Sequence, residues 1–194
     1  MTHVSTPDLL TLHAVRLLGF APTDAVAARF ALDPVDTEAV LHDASERGWA
    51  TWSTFLEMAG WSLSTSGRHE GERLLAEELD ASGGRGVVEA GHHSFLPLNA
   101  VVTGALTGVQ LAAEPSLDEQ TRDVLLGVGA SLGELEDSLT SALGRFAGYR
   151  GRFLTALFRA DDDPAWLAGT SVDSCHRVWF ELHEDLVATL GITR

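Results

Sequence analysis

Residues 90–113, AGHHSFLPLNAVVTGALTGVQLAA, run for 24 positions without a charged side chain, in a chain of 194 residues of which 21% are charged. Wound as a helix at ~100° per residue, the stretch gathers His92, Asn99, Thr103, Thr107 and Gln110 into one narrow sector. The rest of its circumference is Val, Leu, Ala and Gly. A helix apolar nearly all round is a buried helix, and polar groups buried within it need partners. The spacing predicts a central helix for the C-terminal half, with the downstream elements packed around it.

On length alone this stretch could span a bilayer. Two His, Asn99, Gln110, Pro97 and several Gly suit hydrocarbon badly, however, and no basic cluster flanks it, so no membrane association is expected. The first ten residues lack the basic-then-apolar pattern of a signal peptide. The single Cys175 excludes an internal disulfide, and a cytoplasmic location is the expectation.

Downstream, Pro115–Ser116 opens a helix whose Val124, Val128, Leu132, Leu135, Leu139, Leu143 and Phe146 form a stripe, with a break expected near Gly127–Ser131. The segment FAGYRGRF turns the chain into LTALFRA, and the acidic run Asp161–Asp163 reads as a loop. A last helix from about Asp173 to Gly191 carries His176, Trp179, Phe180, His183, Leu186–Val187 and Leu190 on one face. Arg177, Glu181, Glu184 and Asp185 are expected on a solvated face opposite.

Upstream, residues 8–20 read as an amphipathic helix, and Thr23 as the cap of a short second one. Asp33-Pro34 gives a capping residue and a proline at the first helical position of a third, which stops at Gly48. Two short β-prone pieces, 49–52 and 60–64, are joined by STFLEMA. Ser64 or Thr65 caps a helix running to the loop at 81–86. The fold class expected is mainly α with a small β wing, in two domains, 1–82 and an all-α 87–194. Helix, short helix–turn–helix, two-stranded wing and helix resembles the winged helix-turn-helix of MarR- and PadR-type transcriptional regulators. The likeness rests on DAVAARFALDPVDTEAVLHDASERGW, on WSLSTSGR and on the segment lengths. The C-terminal half is similar to that of actinobacterial proteins described as transcriptional regulators. The resemblance implies a homodimeric regulator that binds DNA.

Charge pulls the other way. All 13 basic residues are Arg, against 28 acids, for a net charge of −15. Residues 1–80 alone hold thirteen acids and five Arg, a net −8. On the third helix Val40, Leu41 and Ala44 are expected to face inward. Asp36, Thr37, Glu38, His42, Asp43 and Glu46 are left outside, where carboxylates would meet phosphates at a cost of roughly 1 kcal/mol or more per pair. If the domain still binds DNA, Thr37 with Arg29, Arg47 and Arg68 would make the contacts. The alternative is a winged helix kept for protein contact, with Phe55, Leu56 and Met58 as an apolar lip.

In the C-terminal half, His92, Asn99, Thr103 and Gln110, facing His176, Trp179 and His183 of the last helix, are candidates to bind a small, partly apolar effector. The plain alternative is a solid bundle in which these groups satisfy one another. Two His seven residues apart lie ~10.5 Å apart along a helix, too far for one metal ion, and no metal site is expected. No P-loop, HExxH, GxSxG or CxxC occurs, and Gly127–Gly133 follows no strand as a dinucleotide loop must. No catalytic residue, cofactor or enzyme activity is expected.

Overall fold

The computed structural model describes residues 2–56, 58–111 and 116–192, residues 110 and 111 by their backbone alone. Along the chain lie α1 (Pro7–Leu18), α2 (Thr23–Arg29), α3 (Pro34–Glu46), β1 (Ala50–Phe55), β2 (Met58–Leu63) and α4 (Thr65–Ser82). There follow α5 (Arg85–Leu111), α6 (Glu119–Ala142), a 3-10 turn at Gly144–Phe146, α7 (Tyr149–Arg159), α8 (Ala165–Ala168) and α9 (Cys175–Leu190). The protein is mainly helical, with one two-stranded antiparallel sheet. Among the described residues no helix is long and apolar enough to cross a membrane. The chain divides into two compact units, one of residues 3–83 with those from Ala188 on, the other of residues 84–187.

In the first unit the local signals act where they stand. Asp33 accepts the N–H groups of Val35 and Asp36 at 2.9 and 3.2 Å, with Pro34 opening α3. Gly48, at φ 72°, takes the left-handed turn after that helix. Ser64 accepts the Gly67 N–H at 3.0 Å and starts α4. Thr23 does not cap α2: Pro22 holds that position, and the Thr23 hydroxyl accepts instead from the Trp61 indole at 3.1 Å, tying α2 to β2. The hairpin pairs from Ala50↔Leu63 to Phe55↔Met58, so most of the expected connecting loop is strand. Ser53, Thr54 and Phe55 suit a strand as readily as a loop. Leu12, Val15, Val26, Leu41, Ala44 and Trp61 form the core. Thr37, expected outside, is buried, and its hydroxyl donates to the Asp33 carbonyl at 2.8 Å. The reason is periodicity: 37, 41 and 44 share one helical face, and Val40 sits at its edge, half-buried.

The second unit reverses the expected roles of its helices. α5 is not buried all round: Val88, Phe95, Val102 and Leu106 face in, whereas Leu96 and Val101 are each 44% exposed. The most enclosed helix is α9, where Cys175, Val178, Trp179, Leu182 and Leu186 are buried together with Glu181 and Asp185. The face expected to be solvated is therefore interior at those two carboxylates. Their Arg partners, described below, make that burial tolerable, whereas exposed apolar side chains on α5 cost little by themselves. α6 runs unbroken through Gly127–Ser131, and its stripe includes Leu125 rather than Val124, which is exposed. Gly129 lets α7 approach, since a methyl there would lie 2.6 Å from Leu154 Cδ2. Pro115, expected to open α6, lies outside the described residues, and Asp118 caps the helix through the Thr121 N–H at 2.6 Å.

Candidate functional site: a cavity between α5 and α9

Phe95, wholly buried on α5, stacks on Trp179 and His183 of α9 with ring centroids 4.9 and 5.2 Å apart. Phe153 of α7 meets Trp179 at 5.7 Å. Above this aromatic floor lies a cavity of ≈ 210 Å³. From α5 it is lined by Asn99, Val102, Thr103, Leu106 and Thr107, spaced at three and four residues, and from α9 by His176, Trp179, Phe180 and His183. Phe180 is 47% exposed, so the cavity opens to solvent along that edge.

One hydrogen bond fixes the polar chemistry. Trp179 Nε1 donates to Asn99 Oδ1 at 2.9 Å. An indole N–H can only donate, so Asn99 turns its carbonyl oxygen to the ring and keeps its amide NH₂ as a donor. Thr103 and Thr107 add hydroxyls, and the two His add imidazoles. No lining residue is Arg, Asp or Glu. The arrangement suits a ring-sized, mostly apolar molecule carrying one or two hydrogen-bond acceptors, since a dry cavity of about 150 Å³ already accommodates a benzene ring.

The structure thus brings together Asn99, Thr103, His176, Trp179 and His183 of the expected set. His92 is not among the lining residues. Burial, with His93 next to it, holds its pKa below the usual histidine value. The Gln110 side chain lies outside the described residues. Cys175, next to His176, is buried, and burial pushes its thiol up to about 12, which leaves no thiolate nucleophile at neutral pH. Among the described residues no group of His, Cys, Asp or Glu could hold a metal ion.

Behind the floor is a polar cluster that the sequence reading missed. Arg145 forms an ion pair with Asp185, their side chains 1% and 0% exposed, and the Tyr149 hydroxyl donates to Asp185 Oδ2 at 2.8 Å. Arg152 Nη2 lies 2.8 Å from Glu181 and 2.6 Å from Asp173, and Arg177 Nε lies 3.4 Å from Glu181. Burial works against the charge on Arg152, and Asp173 and Glu181 more than offset it, so its pKa stands above the ordinary arginine value. Arg145, Arg152 and Arg177 thus meet the carboxylates of Asp173, Glu181 and Asp185. The available signal was a matched pair of spacings, Arg145–Tyr149–Arg152 against Glu181–Asp185.

In the first unit the residues expected to reach DNA are differently placed. Thr37 is buried. Arg47 is held by Asp43 at 2.9 Å and lies over the Trp49 ring. Arg29 lies over Phe30 at 4.5 Å, and Arg68 is exposed on the first turn of α4. Compared with known proteins, the chain matches no family model, no curated protein and no solved structure.

Proposed function

We propose that the protein is a small-molecule-responsive regulator. The unit of residues 84–187 takes an aromatic or heteroaromatic effector between α5 and α9. The unit of residues 3–83 carries the output through its winged helix-turn-helix order of elements. The observation that carries this reading is the Asn99–Trp179 hydrogen bond at the cavity wall. It turns the carbonyl oxygen of Asn99 to the protein and leaves its amide N–H groups as donors at a cavity that Thr103, Thr107, His176 and His183 also line. The effector would act by favouring one of two arrangements of the regulator, by differential affinity for them.

Mass spectrometry of an organic extract of the purified protein, with melting curves in indole, phenol and benzamide as ring-sized probes, tests the reading. A probe at about 100 times its Kd adds about 2.7 kcal/mol, a rise of about 5–11 °C for a chain of this size. Asn99→Ala and Thr103→Val should abolish that rise, and Leu96→Ser, on the outer face of α5, should not. An extract without any small molecule, together with melting midpoints that no probe moves, refutes it.

DNA as the target of the output is the second reading. The order of elements favours it, and Arg29 and Arg68 would be its contacts, with Arg47 once released from Asp43. As an output element the protein would act as a homodimer, each copy presenting one α3.

A further inference from the structure

β1 is an open sheet edge. The far side of β2 is taken: the Trp61 N–H donates to the Ala21 carbonyl at 2.8 Å and the Ala21 N–H to the Trp61 carbonyl at 3.2 Å. Both polar backbone groups of Trp61 therefore point away from β1, which makes Trp52↔Trp61 a pair that exchanges no hydrogen bond. By alternation the amides of Thr51, Ser53 and Phe55 face β2, and those of Trp52 and Thr54 face outward. Among the described residues nothing outside the hairpin bonds to the backbone of Trp52 or Thr54. Residues 51–55 are all exposed, Trp52 at 46% and Phe55 at 67%. Edge strands are ordinarily guarded by a charge, a proline or a bulge. Thr51-Trp52-Ser53-Thr54-Phe55 contains neither charge nor proline, and it pairs with β2 residue for residue, without a bulge.

We infer that β1 pairs with β1 of a second copy, antiparallel across a two-fold axis at Ser53, joining two hairpins into one four-stranded sheet. The residues themselves select this occupant, because the strand is complementary to its own reverse. With Ser53 opposite Ser53 of the second copy, Trp52 comes opposite its Thr54 and Thr51 opposite its Phe55. Trp52 and Thr54 are the residues whose amides face outward, so each Trp52–Thr54 pair exchanges both ladder hydrogen bonds. Every aromatic side chain then lies against a β-branched one, a favourable cross-strand combination. The smallest side chain falls on the axis, where facing Cα atoms come within ~4.5 Å. No charge meets a like charge in the ladder, which matters for copies that each carry −15. DNA would find no cation on this strand, and an unrelated peptide would use the same amides without the matched side chains. The pairing concerns the first unit alone, and it stands or falls independently of the cavity and of what the output touches.

Sedimentation velocity on the full chain tests it, with the melting midpoint of each variant as the check on folding. The chain should dimerise, and more tightly as NaCl is raised, because salt screens the repulsion between two acidic copies. Ser53→Lys puts two ammonium groups on the axis, and Thr54→Pro removes only an outward N–H. Each should weaken the dimer at least about tenfold, whereas Leu96→Lys on α5 should leave it unchanged. Should either edge variant fail to fold, cysteine variants carry the test. Under mild oxidation Ser53→Cys should cross-link into a disulfide dimer, since facing Cα atoms at ~4.5 Å suit that bond. Phe55→Cys alone should not, because in this register its counterpart lies four residues along the strand, ~13 Å away. Cys175 is buried and takes no part. A chain monomeric up to about 1 mM, or a dimer indifferent to both Ser53→Lys and Thr54→Pro, overturns the inference. So does Phe55→Cys cross-linking as readily as Ser53→Cys, and so does a dimer that salt dissociates.

Discussion

Removing Asp185 by Asp185→Ala tests how the interior charges of the helical unit are held. The substitution takes from Arg145, 1% exposed, and from the Tyr149 hydroxyl the carboxylate that had met both. Breaking a buried pair from one side costs ~3–5 kcal/mol, because the surviving charge keeps its desolvation penalty and loses its partner. At ~2–4 °C per kcal/mol for a chain of this length, the melting midpoint should fall by about 6–20 °C. Tyr149→Phe, which removes one hydrogen bond to a charged acceptor, should cost less, ~1.5–3 kcal/mol. Guanidinium titration followed by circular dichroism measures both. The decisive variant is Arg145→Leu combined with Asp185→Leu, which removes both charges and should be less destabilised than Asp185→Ala alone. A loss below ~1 kcal/mol for Asp185→Ala, or a double variant whose cost is the sum of the two singles, would refute the reasoning.

Two glycines of α4 should respond with opposite signs. Gly71→Ala meets nothing within 4 Å and should stabilise by about 1 kcal/mol through helix propensity; Gly67→Ala drives a methyl into the Trp49 carbonyl and should destabilise by ~1–3 kcal/mol, both read by urea titration. Cys175 should react with iodoacetamide at pH 8 only as fast as the helical unit opens, since its thiol is buried and titrates near 12; rapid labelling of the native protein would contradict this. Because the His92 pKa is lowered in the folded state, the unfolded chain takes up that proton first. The contribution is complete above about pH 6.5 and is lost as pH falls below it. His92→Gln should therefore flatten the fall in stability between pH 7 and pH 5, and an unchanged slope would count against it.

What was legible in the sequence was whatever is decided within a few residues. Asp33-Pro34, Gly48 and Ser64 set element ends by local hydrogen bonds and backbone freedom, and each acts where its position says. The apposition of Asn99 and Thr103 with Trp179 and His183 was legible too, because both helices announce their faces at three- and four-residue spacing. Which side of α5 is covered was not, for an uncharged helix gives no sign of the direction of its neighbours. Nor was the burial of Glu181 and Asp185. Their partners Arg145 and Arg152 lie 40 and 29 residues earlier, and a carboxylate on a helix looks solvated until the cation that neutralises it is placed. The extension of the hairpin failed for a milder reason, since Ser53, Thr54 and Phe55 are as compatible with strand as with turn.

The last helix contributes to both halves of the molecule. As far as Val187 it supplies the anions that Arg145 and Arg152 require, and from Ala188 it belongs with Leu9 and Leu75. Domains in a nascent chain ordinarily mature one after another from the front. Here neither half is whole until translation has passed residue 188, and the cationic side chains at 145–152 emerge before the groups that quench them. Both units wait on α9, so a ribosome stalled before it would display two unfinished folds rather than one finished and one pending.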